Sequence, residues 1–121
     1  MTTKNRVEWW FSALCCAPWL VIAGPYVEIC VARLALSRWP RPMLDDPKEL
    51  PTAPLHFTFQ LLLLSLIVAI PLLIVFAGWN WRKILGDWRY SACLGAFAVG
   101  LLSIWLLAHY DPGRVWYWFL D

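Results

Sequence analysis

Charge is what this sequence has least of. Only 15% of its 121 residues are Asp, Glu, Lys or Arg, against about 25% in an ordinary soluble domain, and residues 50–81 contain none. Burying such a run in a water-soluble fold would need a large surrounding domain, and a chain of this size has no mass to supply one. The net charge of +2 is small and evenly spread, which speaks against a nucleic-acid partner. Metal-site spacing is missing too. Cys15, Cys16, Cys30 and Cys93 form no CxxC pair, and neither His lies at zinc-ligand spacing from them. All four fall in apolar runs, where cysteine packs as a small hydrophobe. No phosphate-binding motif is present, Asp45-Asp46 stands alone in a proline loop, and the serines of the apolar runs lack a base at useful spacing. Catalysis by this chain alone is therefore not expected, and no cofactor or metal is expected with it. No internal repeat is visible.

What the chain has in abundance is apolar surface and tryptophan. It is 61% hydrophobic with ten Trp, a residue whose amphipathic ring prefers the headgroup level of a bilayer. A hydrocarbon core of about 30 Å needs roughly 20 apolar residues in a helix. Residues 50–81 meet that length with some to spare. The expected fold class is an all-α integral membrane protein with three transmembrane helices, at about 9–31, 55–79 and 91–109, and a short interfacial aromatic C-terminal segment. The whole chain reads as one membrane domain. The N-terminal segment resembles a signal peptide in its basic start and apolar run. It lacks a small-x-small cleavage site, and the apolar run continues past Gly24, so it is read as retained.

In the first span Pro18 and Pro25 lie seven residues apart, on nearly the same face. Each removes an N–H and frees a carbonyl four residues back, at Leu14 and Val21. Freed carbonyls in lipid need partners, so a kinked helix packed against neighbours is expected. The loop 40–54 is proline-rich and is read as an extended, semi-rigid connector. The second span has Pro71 as its expected bend. The turn after it carries Arg82, Lys83 and Arg89 among Trp79, Trp81, Trp88 and Tyr90. It is short enough to make spans two and three antiparallel neighbours, with span two central. Ala92, Gly95, Ala96, Gly100 and Ser103 form a small-residue stripe on span three, suited to close backbone approach. The plainer use of that stripe is to hold span three on span two; the sharper is to dock a partner subunit. The tail 112–121 opens on Asp111-Pro112-Gly113 and presents Trp116, Tyr117, Trp118 and Phe119. It is too short to cross and reads as an interfacial segment.

Lys and Arg divide equally. Lys4, Arg6, Arg82, Lys83 and Arg89 fall on one side; Arg33, Arg38, Arg41, Lys48 and Arg114 fall on the other. The positive-inside rule is thus balanced, and the dense charge of the short second loop tips the expectation to a cytoplasmic N-terminus in a bacterial inner membrane.

Three spans also gather Glu28, His56, Gln60, His109 and Asp111 at one leaflet, with Arg33 and Arg114 close by. A carboxylate within a membrane span is a candidate proton carrier or cation partner. The alternative for Glu28 is a headgroup-level ion pair with Arg33 or Arg38, and that alternative is the expectation. His56 and His109 are the candidate ligands for a haem b or metal between spans two and three. The functional expectation is a small accessory or scaffold subunit of a larger inner-membrane complex, in contact with larger membrane subunits and lipid, or self-associating. The alternative is a redox subunit, associated with haem or quinone, or a proton-coupled transport subunit, with its site at Glu28, His56 and His109.

Overall fold

The computed structural model describes residues 8–120, and these are helical, with no strand among them. Helix α1 spans Trp9–Leu36, α2 Ala53–Trp79, α3 Trp81–Gly86, α4 Trp88–Tyr110 and α5 Val115–Leu120, the last preceded by a 3-10 turn at Pro112–Arg114. Three of them, α1, α2 and α4, are long and apolar enough to cross a membrane. Helix α1 runs past residue 31 to Leu36 and stops where Ser37 turns left-handed (φ 55°). Lys4 and Arg6, two of the cations in the orientation count, lie outside the described residues, as does Asp121.

The central helix is α1, which corrects the expectation that span two is central. Both α2 and α4 pack along α1 and touch each other little. The buried residues of α1 include Phe11, Cys15, Pro18, Val21, Pro25, Glu28 and Ala32, spaced by three and four as one helical face requires. Small residues set who approaches. A Cβ on Gly24 would lie 2.6 Å from Phe59 Cδ1 of α2, and one on Gly100 of α4 would lie 2.7 Å from Pro18 Cβ. In lipid, close approach of this kind is what holds helices together, because no hydrophobic drive separates one apolar surface from another. Trp19 adds a directional tie, its indole N–H donating to the Ala96 carbonyl at 3.1 Å. The short hairpin loop did not make α2 and α4 close neighbours, because α3 occupies most of it as a separate helical turn.

The two prolines of α1 are buried and the helix continues through both, so they form part of its packing surface. Pro71 is exposed on α2, which also continues through it. At the hairpin end Phe11 meets Phe76 and Tyr90, with ring centroids 4.9 and 5.3 Å away, so all three long helices share one aromatic cluster.

The connector 40–52 is folded down, not extended. It forms successive turns pinned by Asp45, which takes both guanidinium nitrogens of Arg38 at 2.7 Å and the Arg41 backbone N–H at 2.7 Å. Pro47 and Thr52 are buried. Proline restricts each local φ but does not prevent a chain of turns.

The aromatic tail is likewise tucked in. Trp116, Trp118 and Phe119 are buried, and Tyr117 and Leu120 face outward. Asp111, left-handed at φ 33°, caps α5 by accepting the backbone N–H of Trp116 and of Tyr117, each at 2.7 Å. Trp118 donates its indole N–H to the Asp45 carbonyl at 2.7 Å. The tail and the connector are thereby fastened to each other over one end of the helices.

Candidate functional site

Beneath that cover lie Glu28 and His56. Both are 0% exposed, and His56 Nδ1 is 3.3 Å from Glu28 Oε2 and 3.2 Å from Oε1. Glu28 reaches this place because it falls on the same face of α1 as Val21, seven residues earlier. His56 stands one turn into α2 and is buried, as Leu66 and Leu73 are further along the same helix. Its backbone N–H is held by the Thr52 carbonyl at 2.9 Å. The ring of Phe119 lies against the imidazole, centroids 4.9 Å apart, and Trp116 meets Phe119 edge-on at 6.3 Å.

This pairing corrects the expected partner of Glu28. Arg33 lies five residues along the helix, and five residues turn a helix by about 140° beyond a full turn. Arg33 is therefore on another face, its guanidinium carbon 4.2 Å above the Trp39 ring. Arg38 is taken by Asp45. Neither forms an ion pair with Glu28 among the described residues. The buried partner of Glu28 is an imidazole 28 residues away.

The other candidates separate. His109 is exposed on α4, stacked on Trp105 at 5.5 Å with the rings 5° from parallel, and is not brought to His56. Asp111 is committed to capping α5. Gln60 is half-buried on α2. Among the described residues no cluster of three or more His, Cys, Asp or Glu is arranged to hold a metal ion. The small-residue stripe divides as well. Gly100 is buried against α1, and Ala96 lends its carbonyl to Trp19. Ser103 bonds back to the Val99 carbonyl at 2.8 Å. Ala92 and Gly95 are exposed, and a Cβ on Gly95 would meet nothing within 4 Å.

Sequence comparison adds no relative. No protein-family model matches this chain, and no curated protein or solved structure gives a significant match. Function is therefore read from the residues themselves.

Thr52 and Trp116 were not among the candidates, and they belong with the pair. Among the described residues, His56 Nε2, Thr52 Oγ1 and Trp116 Nε1 are buried side-chain polar atoms without a hydrogen-bond partner, and Glu28 Oε1, though 3.2 Å from Nδ1, makes an ion-pair contact without a hydrogen bond. Buried polar atoms are nearly always bonded, and leaving one unbonded costs about 1–3 kcal/mol. Three of these residues lie within one stretch of contacts, Thr52 backbone to His56 and His56 to Glu28, and Trp116 reaches it through Phe119. Their coincidence makes this the polar focus of an otherwise apolar interior. Chemically it can do two things: pass a proton between carboxyl and imidazole, or bind a small hydrogen-bonding group. A sequence signal for it existed in Glu28 lying on the proline face of α1, one turn past Pro25.

Proposed function

We propose that the chain is a three-span integral membrane protein of a bacterial inner membrane, N-terminus in the cytoplasm, and a small non-catalytic subunit of a larger membrane assembly. The membrane part draws support from exposed Trp9, Trp79 and Trp88 at the hairpin end and Trp39, Tyr110 and Tyr117 at the other, the two aromatic belts expected of a spanning bundle. The subunit part rests on Gly95. Glycine inside a helix costs about 0.5–1 kcal/mol relative to alanine, and α4 carries two. Gly100 is used within the chain, to admit Pro18; at Gly95, beside exposed Ala92, a Cβ would meet no described atom within 4 Å. A surface of small residues offered outward from a span suits a second helix, one belonging to a larger membrane subunit or to another copy. Purification in mild detergent should bring down a stoichiometric membrane partner, and Gly95→Leu should release it while the chain itself remains folded. A stable solitary chain in mild detergent counts against the reading.

A second reading is favoured by one observation, the fully buried Glu28–His56 contact. It takes the chain as a proton-handling subunit of a transport or redox assembly, with the pair as its site. His109, exposed and stacked on Trp105, has no part in this version. Glu28→Gln should abolish coupled proton movement while leaving assembly intact; the visible spectrum of the purified complex tests any haem version separately.

A further inference from the structure

Among the described residues the ion pairs that form leave Glu28 no partner but His56. On α1, Arg33 is spent on the Trp39 ring. In the connector, Arg38 is spent on Asp45, and Asp46 and Lys48 are the charged groups that reach His56 electrostatically, with opposite signs. On α4, His109 is exposed and both Asp111 oxygens are bound by α5. From α5, Phe119 lies against the imidazole and Trp116 lies edge-on to Phe119; neither titrates. A carboxylate against a neutral imidazole in this enclosure would be a buried, uncompensated negative charge, a state that proteins avoid by neutralising the group.

We propose that Glu28 and His56 together hold one proton beyond the carboxylate–neutral imidazole state, and that α5 is the seal that keeps it from water. This deepens the proton-handling reading and is independent of the subunit reading. The proton has two equivalent homes. Either the carboxylic acid donates to Nδ1, or the imidazolium donates from Nδ1 to the carboxylate; the proton count and the net charge of zero are the same. Both Glu28 oxygens lie within 3.3 Å of Nδ1, so moving between the two forms needs no rearrangement of the chain. In both forms Nε2 carries a hydrogen, and that hydrogen has no acceptor among the described residues. The nearest aromatic face is Phe119, on a helix held down by the Asp111 cap and by Trp118 on the Asp45 carbonyl. Lifting α5 would give Nε2–H and the carboxyl water to bond to, remove the reason for neutrality, and let the proton go.

The test uses the full chain in lipid nanodiscs, with His109→Gln so that one imidazole remains. Nitrogen NMR reads the protonation of both ring nitrogens, and infrared spectroscopy, with Glu28→Gln as the reference, reads whether the carboxyl is ionised. At neutral pH the expected result is a protonated Nε2 together with either an un-ionised carboxyl or a protonated Nδ1, unchanged as the pH is raised into the alkaline range. Asp111→Ala loosens α5 without touching the pair, and in that variant the proton is expected to be lost within the same range. An ionised carboxyl beside a neutral imidazole in the intact chain would overturn the proposal. So would an Asp111→Ala chain of undiminished helicity, with Trp116 newly accessible to a water-soluble quencher, that keeps its proton as firmly as before. If Phe119→Ala is needed because Asp111→Ala leaves α5 in place, the same two outcomes decide. A proton found in the pair but no effect of Glu28→Gln on coupled proton movement would remove the transport reading and leave this proposal standing.

Discussion

The ring of Pro18 occupies the space that a side chain at position 100 would need, with a Cβ on Gly100 falling 2.7 Å from Pro18 Cβ and 3.3 Å from Trp19 Nε1. A proline ring cannot swing aside as a long side chain can, so α4 can lie where it does only with glycine at this point. Gly100→Leu should therefore separate α4 from α1, with an overpacking penalty of about 1–3 kcal/mol or more, and should weaken the Trp19–Ala96 hydrogen bond with it. Gly95→Leu, five residues away, should leave the unfolding midpoint of the isolated chain nearly unchanged. Thermal unfolding of the two variants in one detergent separates internal packing from an outward-facing surface.

Removing one member of the buried pair should cost more than removing both. His56→Leu strands a buried carboxyl, and the loss should be about 1–3 kcal/mol. The double change Glu28→Leu with His56→Leu leaves no polar atom to satisfy and should recover most of that loss. A double-mutant cycle on unfolding in detergent measures the difference. Equal and additive single effects would mean that the two side chains do not interact.

Asp111 replaces, for α5, the first turn of hydrogen bonds that a six-residue helix cannot supply to itself. Asp111→Ala deletes two charge-assisted bonds of 2.7 Å, and a cap of this kind is worth about 1 kcal/mol. The expected result is greater quenching of Trp116 and Trp118 by a water-soluble quencher, with the three long helices intact by circular dichroism. Asp111→Asn keeps acceptor capacity on one oxygen and should fall between the two.

The connector carries its own acid transition. Hydrogen bonding from the Arg38 guanidinium, then from the Arg41 backbone N–H, pulls the Asp45 carboxyl down to about 2, from an ordinary value of about 3.9. Because the folded form holds its proton less tightly than the unfolded one, the stabilisation is fully present above the ordinary value. It is lost as the pH falls through about 2. Carboxyl NMR of Asp45 should show this low midpoint, and Arg38→Gln should move it up toward the usual carboxylate range.

The three membrane-length helices were legible because the physics behind them is one-dimensional: a charge-free run of sufficient length has few other fates. Their arrangement was not. A short loop between residues 80 and 87 suggested that the helices it joins would lie side by side. The contacts that decide neighbours are set instead by where a small residue meets a bulky one, Gly24 with Phe59 and Gly100 with Pro18. Such matches lie far apart in sequence. Glu28 shows the same limit. Its nearest cation along the chain, Arg33, was a natural partner by proximity but is turned away by the pitch of the helix. That Glu28 shares the buried face of Val21, seven residues earlier, is seen only once the burial of Val21 is known. The tail's length excluded a crossing, yet nothing local revealed that Trp116 and Phe119 would turn inward to cover an imidazole.

The order in which these parts emerge during synthesis gives the covered pair a particular history. Glu28 leaves the ribosome before His56, and His56 before Phe119. The acid and the imidazole can meet once α2 is made, while the ring that lies against the imidazole is not yet there. A chain interrupted before Val115 would therefore hold all three membrane-length helices with the pair uncovered on the side that α5 closes.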